Sequence, residues 1–118
     1  MSSIDRALSG DVLVFDLAEE RERTTDPEII GRSGRNARTL LKSGSLRATL
    51  IVLGPGGGIP EHHSEGPILV QPLEGRIAFT VSGETHDLGP GQMLSTGPGV
   101  PHAVSSEKGA TLTLAVAV

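Results

Sequence analysis

Residues 68–88 read ILVQPLEGRIAFTVSGETHDL, and the reading of this stretch decides the fold. Ile68, Leu69, Val70 and Leu73 make an apolar run, and after Glu74-Gly75 the pattern changes to strict alternation, with Ile77, Phe79 and Val81 sharing one face. Alternation at period two is the signature of a half-buried strand, because successive side chains leave opposite faces of a pleated backbone. The spacing predicts two strands, 68–73 and 76–81, paired as a hairpin around Glu74-Gly75. Ser82-Gly83-Glu84 supplies a further turn into a short strand at 85–88.

The same grammar continues outward in both directions. Toward the C-terminus, Gly89-Pro90-Gly91 turns again, and strands at 92–96 and 102–105 flank Gly97-Pro98-Gly99-Val100-Pro101. Residues 111–118 close the chain with Leu112, Leu114, Val116 and Val118 on one face. Toward the N-terminus, strands at 37–41 and 46–53 are joined by Lys42-Ser43-Gly44-Ser45, where glycine offers the positive φ a tight hairpin demands. The segment 54–60, rich in glycine and proline, ends the second of these strands. Residues 24–36, with Pro27, Gly31 and Gly34, read as a surface connection, 18–23 as one charged helical turn, and 11–17 as a strand alternating Leu13, Phe15 and Leu17 against Val12, Val14 and Asp16. About eight or nine short strands with almost no helix predict an all-β sandwich or barrel. No internal repeat suggests a propeller or solenoid.

Length and composition fit that picture. A chain of 118 residues suits one domain, and at this size folding hides about 65% of the surface an unfolded chain exposes. The expected organisation is a single domain over 1–118, with 1–45 as N-terminal strands and connection and 46–118 as the barrel. Sixteen glycines and eight prolines point to many turns. The absence of cysteine removes disulfides, thiolate nucleophiles and Cys-ligated zinc, so a metal would have to be held by His, carboxylate or amide groups. A net charge of −4 argues against nucleic acid as the partner, and with Phe15 and Phe79 as the sole aromatics there is no platform for stacking bases. Arg32, Arg35, Arg38, Lys42 and Arg47 do fall in a stretch free of acids, read here as a solvated strand edge. Met1 to Arg6 contain no apolar run of signal-peptide length, and no 18-residue apolar segment occurs, so a cytoplasmic protein without a membrane partner is expected.

Chemistry concentrates at the histidines. His62 and His63 follow the glycine-rich loop, and His102 follows Pro98-Gly99-Val100-Pro101, so turns deliver all three to strand ends. In a double-sheet barrel such ends can converge at one mouth, where imidazoles suit iron, nickel, copper and zinc. The stretch 54–75 resembles the first motif of the cupin superfamily, a glycine, two histidines one residue apart, a glutamate, and a glycine closing a Leu-Glu-Gly turn, which Leu73-Glu74-Gly75 matches. The stretch 91–102, GQMLSTGPGVPH, resembles the second motif: Gly91, Gly99 and His102 match in register, and Gly97 takes the place of a proline. The resemblance runs from about Leu46 onward and is to small single-domain cupins of the conserved-barrel, RmlC-like type. It implies a jelly-roll barrel (a double-stranded β-helix), a homodimer, and a divalent metal such as nickel, zinc, iron or manganese.

The departures from that family carry equal information. In the family's spacing Ile68 takes the place of the metal-binding glutamate, and Ser106 replaces an asparagine often found after the last histidine. The shorter form of the first motif aligns His62 with the first histidine and Ser64 with the second; the longer form aligns His63 with the second and Glu61 with the first. The candidate metal ligands are therefore His62, His63 and His102, with one of the adjacent pair expected to point away. Glu61 and Glu65 are read as exposed loop acids or as substitutes for the missing carboxylate. The candidate ligand pocket is apolar, lined by Ile68, Phe79 and Val104, with Gln71 either facing it or satisfying a neighbouring backbone group. His86 is read as an outer-face residue. Three functions fit: a module binding a small molecule in a histidine-lined pocket, with or without metal; a metal-dependent dioxygenase or isomerase acting on a small polar or carboxylated substrate; and a purely structural dimer with a vestigial site. Loss of the glutamate removes both ligand charge and a general base.

Overall fold

A computed structural model describes residues 8–118. Residues 1–7, which include the N-terminus read above for a leader and open the expected domain, lie outside the described residues. Two helices, α1 (Leu17–Thr24) and α2 (Pro27–Ser33), precede the strands. Those are β1 (Arg35–Ser43), β2 (Leu46–Leu53), β3 (Gly58–His62), β4 (Ile68–Gly75), β5 (Ile77–Val81), β6 (Glu84–Leu88), β7 (Leu94–Thr96), β8 (His102–Ser105) and β9 (Ala110–Ala117). One sheet has the order β1-β2-β9-β4-β7 and the other β3-β8-β5-β6, and every pairing is antiparallel. This is the all-β jelly roll expected.

The barrel interior is apolar. Ile51, Leu53, Ile68, Val70 and Leu112 from the five-stranded sheet pack with Ile77, Phe79 and Val104 from the four-stranded one. β2 is buried on both faces: Ile51 and Leu53 point inward, while Leu50 and Val52 lie on the opposite face, also hidden. Helix α1 covers that outer face. Glu20 Oε1 accepts a 2.6 Å bond from Arg38 Nε, and Thr24 O accepts from Asn36 Nδ2 at 2.9 Å, both partners standing on β1. Burying a Leu or Val side chain stabilises by about 1.5–3 kcal/mol, so this second layer is a substantial addition to a small core.

Four features differ from the sequence reading. Residues 11–17 form no ladder: Val12 and Val14 are exposed, Asp16 caps α1 by accepting from Glu19 N at 3.1 Å, and Leu17 is already helical. The alternation is present, but no strand pairs with it. Residues 24–36 are not mere connection, because Asp26 accepts from Glu28 N and Ile29 N, Pro27 opens α2 and Gly34 closes it at φ 80°. Such capping outweighs the helix cost of Gly31, about 1 kcal/mol. β3 grows directly out of the glycine run, held by pairing with β8 rather than by any alternation of its own. Finally, Glu74-Gly75 is not a hairpin. β4 pairs with β9 and β7, β5 pairs with β6 and β8, and the chain crosses between sheets at Gly75 and Arg76. Gly75 has φ 75°, and a Cβ there would lie 2.4 Å from Gly109 O, so the crossing needs glycine.

Candidate functional site

β3 ends and β8 begins at one mouth of the barrel, where His62 and His102 are direct cross-strand partners. Their Nε2 atoms are 3.0 Å apart, and the ring planes stand at 69°. Each Nδ1 lies 3.0 Å from a carbonyl oxygen two residues earlier, Pro60 O for His62 and Val100 O for His102. A carbonyl can only accept, so both Nδ1 atoms carry the proton. In the neutral rings both Nε2 atoms then present lone pairs to the same small space. Such an arrangement repels unless an electrophile, a proton or a cation, lies between or against the two nitrogens.

The ring of His102 is held firmly. It is 1% exposed, and Phe79 stacks on it at 5.5 Å and 15°. Burial pushes its pKa below the ordinary 6.5, the Val100 carbonyl opposes that, and the nearby His62 and His63 add to the lowering. The neutral ring is the form that ligates metals.

The donors were tested against a divalent ion. Two nitrogens about 2.05 Å from one ion stand about 2.9 Å apart at right angles and about 3.4 Å apart in a tetrahedron. The separation of 3.0 Å fits adjacent corners of an octahedron. Backbone carbonyls on both Nδ1–H groups are the outer partners that metal-ligating histidines ordinarily have. The pair thus fits as two ligands. Of the adjacent histidines it is His62 whose ring meets His102, and among the described residues no group of three or more His, Cys, Asp or Glu side chains comes together as a metal site. His63 is exposed just past the end of β3, which ends at His62.

The remaining candidates divide by strand parity. Ile68, at the position of the family's glutamate, is 2% exposed and faces the core, as do Phe79 and Val104. They fill the barrel behind the pair. Gln71 does not face the interior, since Val70 and Pro72 on either side of it are buried and it stands exposed on the outer face beside Thr113. Its position in an apolar run concealed that parity. Glu61 and Glu65 are exposed. Ser106 is structural: its hydroxyl donates to Arg76 O at 2.8 Å and accepts from Gly109 N at 3.1 Å.

His86 is the residue the sequence reading misplaced. It pairs with Phe79 across β5 and β6, so it occupies the inner face and not the outer one. The signal was available, because a two-residue turn at Ser82-Gly83 pairs 81 with 84 and therefore 79 with 86. Both turn residues have positive φ, 50° and 80°, as a type I′ hairpin requires.

Comparison with known proteins agrees with this architecture. The cupin domain family matches residues 49–118, and the chain belongs to that family. A conserved protein of unknown function from Streptococcus pyogenes is 25% identical with a TM-score of 0.72, over 94% of this chain and 91% of that one. An RmlC-like cupin from Shewanella frigidimarina is 21% identical with a TM-score of 0.68, over 72% of this chain and 77% of that one. Salicylate 1,2-dioxygenase from Pseudoaminobacter salicylatoxidans superposes with a TM-score of 0.82 at 17% identity, over 98% of this chain but 36% of the enzyme. No curated protein matches the sequence. Among the described residues no helix is long and apolar enough to cross a membrane.

Proposed function

We propose that this cupin binds a small molecule at the barrel mouth through a divalent ion held by His62 Nε2 and His102 Nε2. The observation that carries this reading is the pair of facing Nε2 atoms at 3.0 Å, each with its Nδ1–H spent on a backbone carbonyl. Two neutral ligands leave most of an octahedral shell open, and a chelating ligand supplies donors there. When bound, the ion polarises the oxygen atoms of that ligand. The chain's own groups do the positioning: Phe79 fixes the plane of His102, and the carbonyls of Pro60 and Val100 fix both tautomers.

The enzyme reading, a dioxygenase or isomerase on a small carboxylated substrate, draws on the likeness to salicylate 1,2-dioxygenase. Against it, the glutamate position is the buried Ile68, so the pair has no carboxylate from β4 to balance the ion's charge or take a proton. Binding without turnover is the reading the side chains favour.

Calorimetric titration of Ni²⁺, Fe²⁺ and Zn²⁺ into protein purified without a histidine tag tests this. One site per chain is expected, with at least tenfold loss in His62→Ala and in His102→Ala and less than threefold change in His63→Ala. Unchanged affinity in His102→Ala would sink the metal reading.

The chain is further proposed to pair with a second copy through the outer face of the five-stranded sheet. Leu46 and Leu69 are 43% and 40% exposed there. Strand register places Ala48, Ser95, Ala115 and Ala117 on the same face, a patch of small uncharged residues.

A further inference from the structure

A cavity of about 310 Å³ opens between β6 and β7, the free edges of the two sheets, lined by Val81, His86, Leu94, Ser95, Thr96, Gly97 and Val100. It adjoins the histidine pair without including it. Val81 is the cross-strand partner of His102, and Val100 is the residue whose carbonyl holds His102 Nδ1–H. From these positions we infer that the cavity is a subsite for the body of the bound molecule, that His86 is its polar recognition group, and that it takes a small neutral ring bearing a hydroxyl. This rests on the reading that ligands bind at this mouth of the barrel.

Three observations lead to that chemical class. The walls contributed by Val81, Leu94 and Val100 are apolar, which suits a ring or short hydrocarbon body. The Thr96 hydroxyl donates to Gly97 O at 3.1 Å and keeps only acceptor capacity, and Ser95 borders the cavity from β7, where it alternates with Leu94 and Thr96, the partners of the inward-facing Val70 and Ile68. On the β6 wall the imidazole of His86 is the polar side chain of the lining, able to donate to or accept from a polar group on the ligand. No Lys or Arg lines the space, and Glu84 Oε1 lies 3.8 Å from His86 Nε2. An anionic ligand would meet that carboxylate with no cation to offset it. A hydroxyl, able to donate to or accept from imidazole, meets no such penalty.

His86 stands two strands from His102, with β5 between them. With strand spacings of roughly 4.8 Å and an offset of two residues along the strands, the two backbones are about 12 Å apart, wider than one six-membered ring with its substituents. A molecule seated against His86 therefore borders the His62–His102 pair through Val81, the cross-strand partner of His102.

Phenol and benzoate, alike in ring size and differing in charge, are the probes, followed by NMR titration of backbone amides and histidine ring protons in the metal-free protein. Phenol is expected to shift His86 and the amides of Val81, Leu94 and Val100, and to bind at least fivefold more tightly than benzoate. His86→Leu should weaken phenol at least fivefold. Leu94→Phe, which fills the cavity from the opposite wall, should abolish binding and guards against misfolding in the first variant. Unchanged phenol affinity in His86→Leu, benzoate binding as tightly as phenol, or no phenol shifts at these residues overturns the inference. Because no metal is added, these outcomes are independent of the nickel titration: the metal reading can fail while the phenol subsite stands, and the reverse.

Discussion

At the scale of single residues, His102 concentrates the chemistry of the chain. Burial holds its pKa below the 6.5 of the free side chain, chiefly because a charged ring there loses its hydration. The unfolded chain therefore takes up a proton at a higher pH than the folded one. Stability contributed by the neutral ring is present above about pH 6.5 and drains away as pH falls through the lower folded value. Urea midpoints measured at pH 8, 6 and 5 should fall, and the fall should shrink in His102→Gln, which has no ring to protonate. Equal falls in the two proteins would show that other groups govern the acid response. Phe79, fully buried and stacked on His102, ties this titration to the core.

At the scale of elements, the link between β4 and β5 sets the architecture. Sequence pattern suggested a hairpin because two apolar strands flank a glycine, yet the chain leaves one sheet at Gly75 and enters the other at Ile77. Two positive-φ glycines allow that role to be tested. Gly75 would place a Cβ 2.4 Å from Gly109 O, whereas Gly83 in the β5–β6 turn has nothing within 4 Å. Gly83→Ala carries only the left-handed backbone penalty, about 1–2 kcal/mol. Gly75→Ala adds displacement of packed backbone and should cost at least about 1 kcal/mol more. Urea unfolding of the two variants checks the difference, and equal losses would mean that the sheets can shift apart at this crossing. The two helices make the complementary point, since α2 is specified by Asp26, Pro27 and Gly34 at its ends, while α1 takes its place over the sheet that presents Leu50 and Val52 on its outer face.

At the scale of the whole molecule, the two faces of the five-stranded sheet have different fates. Helix α1 roofs the β1–β2 half and reaches Glu74 of β4 through Arg21, while the outer face around Leu69 stays exposed, beside Ala115 and Ser95. If a second copy covers it, Leu69→Lys should convert a dimer to a monomer in sedimentation or light scattering, with little loss of monomer stability because the residue is 40% exposed. A wild-type chain already monomeric at tens of micromolar would remove the proposal. The fold itself was legible in the sequence wherever the signal was local: alternation gave the inner face of β5, glycine marked the β1–β2 and β5–β6 turns, and the matches at Leu73-Glu74-Gly75 and at Gly91, Gly99 and His102 pointed to a cupin. Even the inner-face position of His86 follows from the length of one turn, and α2 from its caps, though both were read otherwise. What only the tertiary structure decided was non-local. Whether His62 or His63 meets His102, forty residues away, depends on the register of β3 against β8, and β3 carries no periodicity of its own. That Gln71 turns outward and that β4 and β5 belong to different sheets likewise depend on which strands lie alongside. A strand's period fixes which residues share a face, but the choice of partner strand and of the face that meets the core comes from burying apolar surface across the whole barrel.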